Sequence, residues 1–288
     1  MIDIGHLFVC PLCREGLTSS GDGYACTSCH RHFGKANGVW DFRVEPAAAE
    51  PPLYSDPFFR RHRECLAQLH AQHYGENSMS GQLEDRFKQV ARKLMETEPD
   101  FVGDIGCGTG GAFSTFGPPS RMIGVDQDIK LLEVAARRYP EATLVCCDLL
   151  RSPLRQGAFP ALICLCCLEH VYWLEDSLAV MHDLLAPGGR LYVMIPTEGG
   201  LAWSTARNLF TLSVNAKISG MTNDQYRHVM RIEHCNNFEA VNSALFKFFE
   251  IERFNFWPMG IGGHHLNLIG LYSLKRRTSQ MMALASKS

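Results

Sequence analysis

The sequence predicts an α/β protein, a doubly wound parallel sheet with helices on both faces, preceded by a small cysteine-containing module. Three observations lead to this prediction. Apolar strand segments alternate with helical segments between residues 100 and 196, as in sheets that are covered on both faces. A glycine-rich loop follows the first of these strands. Two Cys-x-x-Cys pairs stand close to the N-terminus, before the alternating pattern begins.

The bulk composition is that of an ordinary globular protein, with 288 residues of which 46% are hydrophobic and 20% charged. A formal net charge of −2 gives the whole chain no attraction for nucleic acid or anionic membranes. No run approaches the ~20 apolar residues of a membrane-spanning helix, and no secretion signal is expected. We therefore expect a cytoplasmic protein, where the twelve cysteines would stay reduced.

The first module is predicted from Cys10, Cys13, Cys26 and Cys29, which form two Cys-x-x-Cys pairs. Each pair places two thiolates on one tight turn, and two such turns close a tetrahedral site that suits structural zinc. A segment this short needs a metal to fold, because it buries little surface. There are three alternatives. His30 or His32 could replace a cysteine as a ligand, a Cys-x-x-Cys pair could be redox-active, or the cysteines could be reduced remnants of a metal site that has been lost.

The end of the module and its connection are read from turn and proline signals. Phe33–Phe42 is predicted as a closing hairpin with Asn37-Gly38 as its turn. Four prolines within residues 45–57 predict a linker. We thus expect a module over 1–44, a linker over 45–57 and a large domain over 58–288.

The elements of the large domain follow from hydrophobic periodicity. The predicted helices are Pro57–Tyr74, Ser80–Glu98, Ile129–Tyr139, Leu174–Leu185 and Asn236–Phe248. The predicted strands are Phe101–Ile105, Arg121–Val125, Thr143–Cys147, Ala161–Cys167, Arg190–Ile195, Phe249–Phe254 and Leu266–Lys275. Residues 197–248 are expected to form a helical insertion.

The glycine loop satisfies more than one cofactor pattern. Gly106, Gly108 and Gly111 fit Gly-x-Gly-x-x-Gly, the dinucleotide fingerprint, and Asp126 ends the next strand 20 positions after Gly106. An aspartate there binds ribose hydroxyls of either NAD or S-adenosylmethionine. Asp104, just before the glycines, favours S-adenosylmethionine, because its sulfonium and amino groups are positive whereas the pyrophosphate of NAD is negative.

The downstream motifs extend the same comparison. Asp148 follows the third strand, Leu168-Glu169-His170-Val171 the fourth, and Leu185–Leu191 leads into the fifth. Over about residues 100–196 this series resembles class I S-adenosylmethionine-dependent methyltransferases, especially the methyltransferase type 11 group. The resemblance implies a Rossmann-like sheet of seven strands. The N-terminal segment resembles the zinc ribbons that precede some bacterial methyltransferase domains.

The resemblance also implies roles for single residues. Asp104 and the loop residues Gly106, Cys107, Gly108 and Gly110 would hold the methionine part of the cofactor. Asp126 would accept the ribose hydroxyls, with Gln127 beside it. Asp148 and Leu149 would line the adenine pocket, and Leu165 and Leu168 would close the site. The competing interpretation of Asp126 and Asp148 is that they are merely exposed residues at strand ends. The competing interpretation of Leu165 and Leu168 is that they pack in the core.

The acceptor side is predicted from the insertion and from two histidines. In enzymes that this chain resembles, an insertion after strand five commonly forms the acceptor lid. His170 follows strand four, and His234 stands next to Glu233. Each is a candidate base or acceptor-orienting residue, since methyl transfer to a hydroxyl or amine releases a proton.

The acceptor class is left open by the sequence. We favour a small molecule resembling a natural product or saccharide, methylated at O or N, because basic clusters are confined to Arg60–Arg63 and Lys275–Arg277. Methylation of a ribosomal RNA base, with the ribbon docking RNA, is the alternative within the enzyme class. A non-catalytic cofactor-holding module and an NAD oxidoreductase are the others, and the sequence does not predict an oligomeric state.

Overall fold

The structure is a computed structural model that describes residues 5–49, 51–72 and 78–277. The chain divides into two compact units, each assembled from separate segments of sequence. The first unit combines Met1–Ala49, Thr97–Cys164 and Asp176–Leu191, and the second combines Glu50–Glu96, Leu165–Glu175 and Tyr192–Ser288.

The strands are, in chain order, β1 (Leu17–Ser20), β2 (Gly23–Cys26), β3 (His32–Phe33), β4 (Lys35–Ala36), β5 (Val39–Asp41), β6 (Val102–Ile105), β7 (Met122–Asp126), β8 (Thr143–Cys146), β9 (Phe159–Leu165), β10 (Leu185–Pro196), β11 (Phe249–Trp257) and β12 (Ile269–Arg276). The helices are α1 (Pro57–Gln72), α2 (Met79–Arg92), α3 (Phe113–Phe116), α4 (Ile129–Arg138), α5 (Leu174–Leu184), α6 (Leu201–Ala206), α7 (Leu212–Ile218), α8 (Asn223–Glu233) and α9 (Phe238–Phe248). A π-helical turn, Arg207–Thr211, connects α6 to α7.

The first unit is built on parallel strands. β6 lies between β9 and β7, and β8 follows β7, all in parallel pairing. The register places Asp104 opposite Gly124, and Asp126 opposite Cys146. All four residues of β6 are buried, as expected for a strand covered on both faces. This alternating parallel arrangement confirms the predicted Rossmann-like fold.

The N-terminal segment forms a small three-stranded sheet in the order β1-β2-β3, followed by the β4–β5 hairpin. Asn37 and Gly38 have φ of 50° and 85°, the left-handed pair that a type I′ hairpin turn requires. The predicted hairpin is therefore confirmed. Its aromatic core includes Phe42, whose ring lies 5.0 Å from that of Phe8 and 4.9 Å from that of Phe33.

The same segment also adds strands to the main sheet of the first unit. β5 pairs in parallel with β8, and Val39 lies opposite Leu144. Phe8 forms a bridge with Leu154, and the Arg14 guanidinium donates to the carbonyls of Ser152 and Leu154. The sequence predicts the hairpin but not this pairing, because a three-residue strand carries no signal for a partner one hundred residues away.

The second unit holds the antiparallel pair β11–β12, and β12 neighbours β10. These strands, together with β6–β10, supply the seven that the sequence predicts, and β4 and β5 are additional. Helices α1, α7 and α8 share an apolar cluster formed by Phe59, Leu212, Ala216, Tyr226, Val229, Met230 and Ile232.

Residues 197–248 contain the helices α6, α7, α8 and α9. Gly220 has φ of 63° and ends the α7 region, and the Thr222 side chain caps α8 in a capping box with Gln225. The predicted first helix ends at Gln72 in the described chain, and residues 73–74 lie outside the described residues. The second helix ends at Arg92, earlier than predicted.

No helix in residues 5–49, 51–72 and 78–277 combines the length and the apolar character needed to cross a membrane.

Removing the Arg14 side chain tests how the N-terminal segment is attached to the first unit. Arg14→Ala leaves two carbonyls without their guanidinium donor, which should lower the free energy of unfolding by about 1–2 kcal/mol. Urea denaturation measures this loss. Arg31→Ala is the matched control, because Arg31 is exposed on the same segment. Equal destabilisation by both variants would contradict the attachment.

Candidate functional site

The glycine loop stands at the carboxyl end of β6, in the first unit. Gly106, Gly108 and Gly110 have φ of 76°, 52° and 76°, a region where residues with a Cβ are strained. The N–H groups of Gly106 and Cys107 both donate to the Val125 carbonyl, at 2.8 and 3.1 Å. The glycines therefore leave the loop backbone uncovered by side chains, and two hydrogen bonds fix the loop to the end of β7.

The carboxylate of Asp126 holds this loop from the neighbouring strand. Its Oδ2 accepts the N–H of Gly108 at 2.9 Å, and its Oδ1 accepts the N–H of Asp128 at 2.9 Å. Asp126 therefore joins the glycine loop to the segment that begins α4.

Asp148 occupies the corresponding place after β8. Its Oδ1 accepts the N–H of Leu150 at 2.9 Å and caps the short turn Leu149–Arg151. Its Oδ2 accepts the N–H of Ala47 at 3.1 Å, so the chain that follows the N-terminal module helps to orient it. The sequence predicts that Asp148 contacts a ligand, but it gives no sign of the contact with Ala47.

Asp104 differs from the other two aspartates in its burial. It lies within β6 and is 3% exposed. Gln127 is exposed, and Leu149 is half-buried. The nine predicted cofactor residues between Asp104 and Leu149 thus lie on the β6, β7 and β8 strand ends of one parallel sheet, whose carboxyl ends face the same edge.

The remaining two predicted cofactor residues fall in the second unit. Leu165 is half-buried at the end of β9, and Leu168 is fully buried in the short turn Leu168–His170.

The four N-terminal cysteines form a compact cluster. The Sγ atoms of Cys10 and Cys29 are 3.6 Å apart, and those of Cys13 and Cys26 are 3.4 Å apart. All four lie within 4.8 Å of one another, without a histidine among the described ligand candidates. Sulfur atoms around tetrahedral zinc are separated by about 3.8 Å, given Zn–S bonds of ~2.3 Å. The donor set and spacing therefore fit a closed, four-thiolate zinc site.

A second polar cluster lies in the second unit, around His170 and His234. Their rings are perpendicular, with centroids 4.7 Å apart. The Nδ1 of His170 donates to the Glu233 carbonyl oxygen at 3.2 Å, and the Nδ1 of His234 contacts Glu198 Oε2 at 3.0 Å. The two predicted catalytic candidates are thus brought together, with both Nδ1 atoms engaged.

Carboxylates surround this histidine pair. Glu198 also accepts from Trp203 Nε1 at 2.5 Å and from the Arg207 guanidinium. His62 Nε2 contacts Glu233 Oε1 at 2.9 Å. Glu169 is 3% exposed, and its Oε2 has no hydrogen-bond partner among the described residues.

The charge states follow from these contacts. Burial raises the pKa of Glu169 to about 7. Burial opposes ionisation of Glu198 as well, but His234 and Arg207 outweigh it and lower the Glu198 pKa to about 2. Burial also opposes protonation of His234, yet the carboxylates Glu198 and Glu233 raise the pKa of that imidazole above its usual value.

The sequence did not point to three members of this cluster. Glu198 comes two residues after β10, so an acid following a buried strand was an available signal. Glu169 was read only as part of a motif. His62 lies 171 residues from Glu233, and a helical histidine that distant gives no signal of its partner.

The family comparison identifies the parallel-sheet region. Residues 103–193 match the family model described as "Methyltransferase domain". The chain is 32% identical over 97 residues to a tRNA (carboxymethyluridine(34)-5-O)-methyltransferase, alkbh8, of Xenopus tropicalis, covering 33% of this chain and 15% of that protein. It is 30% identical over 118 residues to an uncharacterised 37.1 kDa protein in transposon TN4556 of Streptomyces fradiae. This match covers 38% of this chain and 34% of that protein. The chain thus spans only a minor part of the length of these relatives.

Solved structures show the same fold. The N-methyltransferase NodS of Bradyrhizobium japonicum, in complex with S-adenosyl-L-homocysteine, gives a TM-score of 0.52 at 14% identity, covering 77% of this chain and all of that one. The PH0226 protein of Pyrococcus horikoshii gives a TM-score of 0.50 at 13% identity, and the match covers 73% of this chain and 96% of that one. With its parallel sheet and glycine loop, the region over residues 103–193 matches the family model of a methyltransferase domain, and its fold is that of these solved structures.

Proposed function

We propose that this protein is a cytoplasmic enzyme that transfers the methyl group of S-adenosylmethionine to an oxygen or nitrogen of a small molecule. The observation that carries the proposal is the glycine loop clamped by Asp126, with buried Asp104 directly before it. The residues present fit that cofactor. Asp104 supplies negative charge beside a positively charged methionine tail, and the glycines let backbone N–H groups approach it.

The loop and strand ends divide the binding task. Asp104, Gly106, Cys107, Gly108 and Gly110 would hold the methionine part. Asp126 would accept the ribose hydroxyls, with Gln127 beside it. Asp148 and Leu149 would line the adenine pocket, and Leu165 and Leu168 would close the site.

The chemistry needs little more than positioning. When bound, S-adenosylmethionine supplies a methyl group that its sulfonium charge already activates. The S–CH₃ bond breaks as the acceptor O–CH₃ or N–CH₃ bond forms, sulfur keeps the bonding electron pair, and the acceptor loses a proton. We propose that His170 and His234 orient the acceptor or take up that proton. His234 resembles an oriented base, because its Nδ1 is held by Glu198.

RNA is the second candidate acceptor. The name of the Xenopus relative describes a tRNA methyltransferase, and a ribbon ahead of the domain would offer a docking surface for RNA, including a ribosomal RNA base. Filter binding of total RNA at rising salt decides between the two. Steep salt dependence would favour RNA, because phosphate contacts release counterions. Weak, salt-insensitive binding supports the small-molecule acceptor.

Calorimetry of cofactor binding tests the proposal. S-adenosylmethionine should bind in the micromolar range, and NAD should not bind. Asp104→Ala should reduce the affinity by at least tenfold, because it removes the buried carboxylate next to the methionine tail. Asp148→Asn is the matched control with a smaller expected loss, since its amide oxygen can still accept one backbone N–H. Binding of NAD in place of S-adenosylmethionine would overturn the proposal.

The clamp role of Asp126 can be measured without any ligand. Asp126→Asn puts an amide donor against one of the two N–H groups that the carboxylate accepts, and it should cost about 1–2 kcal/mol of unfolding free energy. Asp128→Asn is the control, because Asp128 caps α4 and Asn caps a helix equally well. Similar melting temperatures for Asp126→Asn and wild type would refute the clamp.

Structural zinc at the four cysteines is part of the same proposal. Elemental analysis of the protein should find zinc that is lost in Cys13→Ser and in Cys29→Ser. These variants should also melt at a lower temperature, because the metal supplies folding energy to a segment with little core. Cys65→Ser, a half-buried cysteine of α1, should keep both zinc and stability. Zinc retained by the ribbon variants would contradict the assignment.

A further inference from the structure

The cluster around His170 and His234 has the donor set of a second metal site, separate from the ribbon. His170 ends the short turn after β9, Glu233 is the last residue of α8, and His234 follows it. One ligand atom from each of these three residues lies within 4.8 Å of the other two. Two imidazoles and one carboxylate are a common ligand set for divalent transition metals.

The hydrogen bonds select the tautomer that binds metal. A backbone carbonyl can only accept, so His170 Nδ1 must carry the proton that it donates to the Glu233 carbonyl. The lone pair of a neutral His170 therefore sits on Nε2. His234 has the same arrangement, because its Nδ1 is bonded to Glu198 Oε2. Metal-ligating histidines are almost always held in this way by a carbonyl or carboxylate on the other ring nitrogen.

The third ligand is oriented as well. His62 Nε2 holds one oxygen of Glu233 at 2.9 Å, and the other oxygen of that carboxylate is left for a cation. His62 is 2% exposed, so this contact is fixed by packing. All three candidate ligands thus have an orienting partner of the type that supports a metal site.

The charge balance of the cluster favours a divalent cation. The carboxylates of Glu169, Glu198 and Glu233 are accompanied by the single guanidinium of Arg207. Among the described residues, this group thus holds more carboxyl groups than guanidinium groups. The ligands also lie at the C-terminal end of α8, where the helix dipole stabilises positive charge.

Glu169 provides an independent indication. Its carboxyl group is 3% exposed, and its Oε2 has no hydrogen-bond partner among the residues the structure describes. Its Oε1 lies 3.7 Å from His170 Nε2, the atom that would face the metal. A buried carboxylate oxygen without a partner is costly, and a cation beside it removes that cost.

We propose that His170, Glu233 and His234 bind one divalent transition-metal ion, with Glu198 and His62 orienting the ligands and Glu169 adjacent to the ion. Three protein ligands leave at least one coordination position open. The consequence for catalysis rests on the proposed methyl transfer. A hydroxyl group bound at the open position would have its pKa lowered by the ion.

Cobalt uptake tests the site in the full-length protein with its ribbon filled with zinc. Added Co²⁺ should bind at one ion per chain and give visible d–d bands without the thiolate charge-transfer band of a cysteine site. His170→Ala and His234→Ala should weaken binding at least tenfold. Glu198→Gln, which keeps every ligand, should weaken it by ~10–100-fold.

The matched control is His228→Gln. His228 forms a histidine–carboxylate pair with Asp56 at 2.9 Å in the same unit, outside the cluster, so cobalt binding should be unchanged. If the alanine variants fail to fold, Glu233→Gln is tested in their place. Its amide oxygen can still accept the hydrogen bond from His62 Nε2. No uptake by the wild type, or equal uptake by the cluster variants, overturns the site.

This measurement needs neither S-adenosylmethionine nor an acceptor. Failure of methyl transfer would therefore leave the metal site standing, and loss of cobalt binding would leave the proposed methyl transfer standing.

Discussion

The geometry of the candidate cofactor site depends on the Asp126 carboxylate, which joins two neighbouring strand ends. By accepting the N–H groups of Gly108 and Asp128, it fixes a loop whose glycines have little conformational preference of their own. The parallel pairing of β6 with β7 brings the two ends together. Burial of the whole of β6 makes this register costly to change, because a one-residue shift would move every side chain of the strand to the opposite face.

The N-terminal segment contributes to the same part of the molecule. β5 extends the sheet beyond β8, and the N–H of Ala47 holds the second oxygen of Asp148. A zinc-stabilised ribbon would therefore support the strand ends that carry the cofactor residues. Within the first unit, metal binding and cofactor binding would be linked through stability, because the cysteine-bearing segment contacts Ser152 and Leu154, which follow β8.

Sequence reasoning predicted the features that local pattern determines. The alternating elements, the Asn37-Gly38 turn and the four-cysteine cluster each have short signatures, and the structure contains them. Contacts between distant residues were not predictable. The pairing of β5 with β8 and the contact of His62 with Glu233 join segments that carry no mutual pattern. The positions of His170 and His234 in the sequence give no sign of the hydrogen bonds at their Nδ1 atoms.

The proposed transfer of a methyl group from S-adenosylmethionine can be measured directly with cofactor labelled in that methyl group. The protein is incubated with labelled cofactor in two separate reactions, one with a metabolite extract and one with total RNA. The Asp104→Ala variant is treated in the same way. We expect label in the small-molecule fractions with the wild type and none with Asp104→Ala. Absence of label from both pools, in protein that is folded and zinc-loaded, would contradict it.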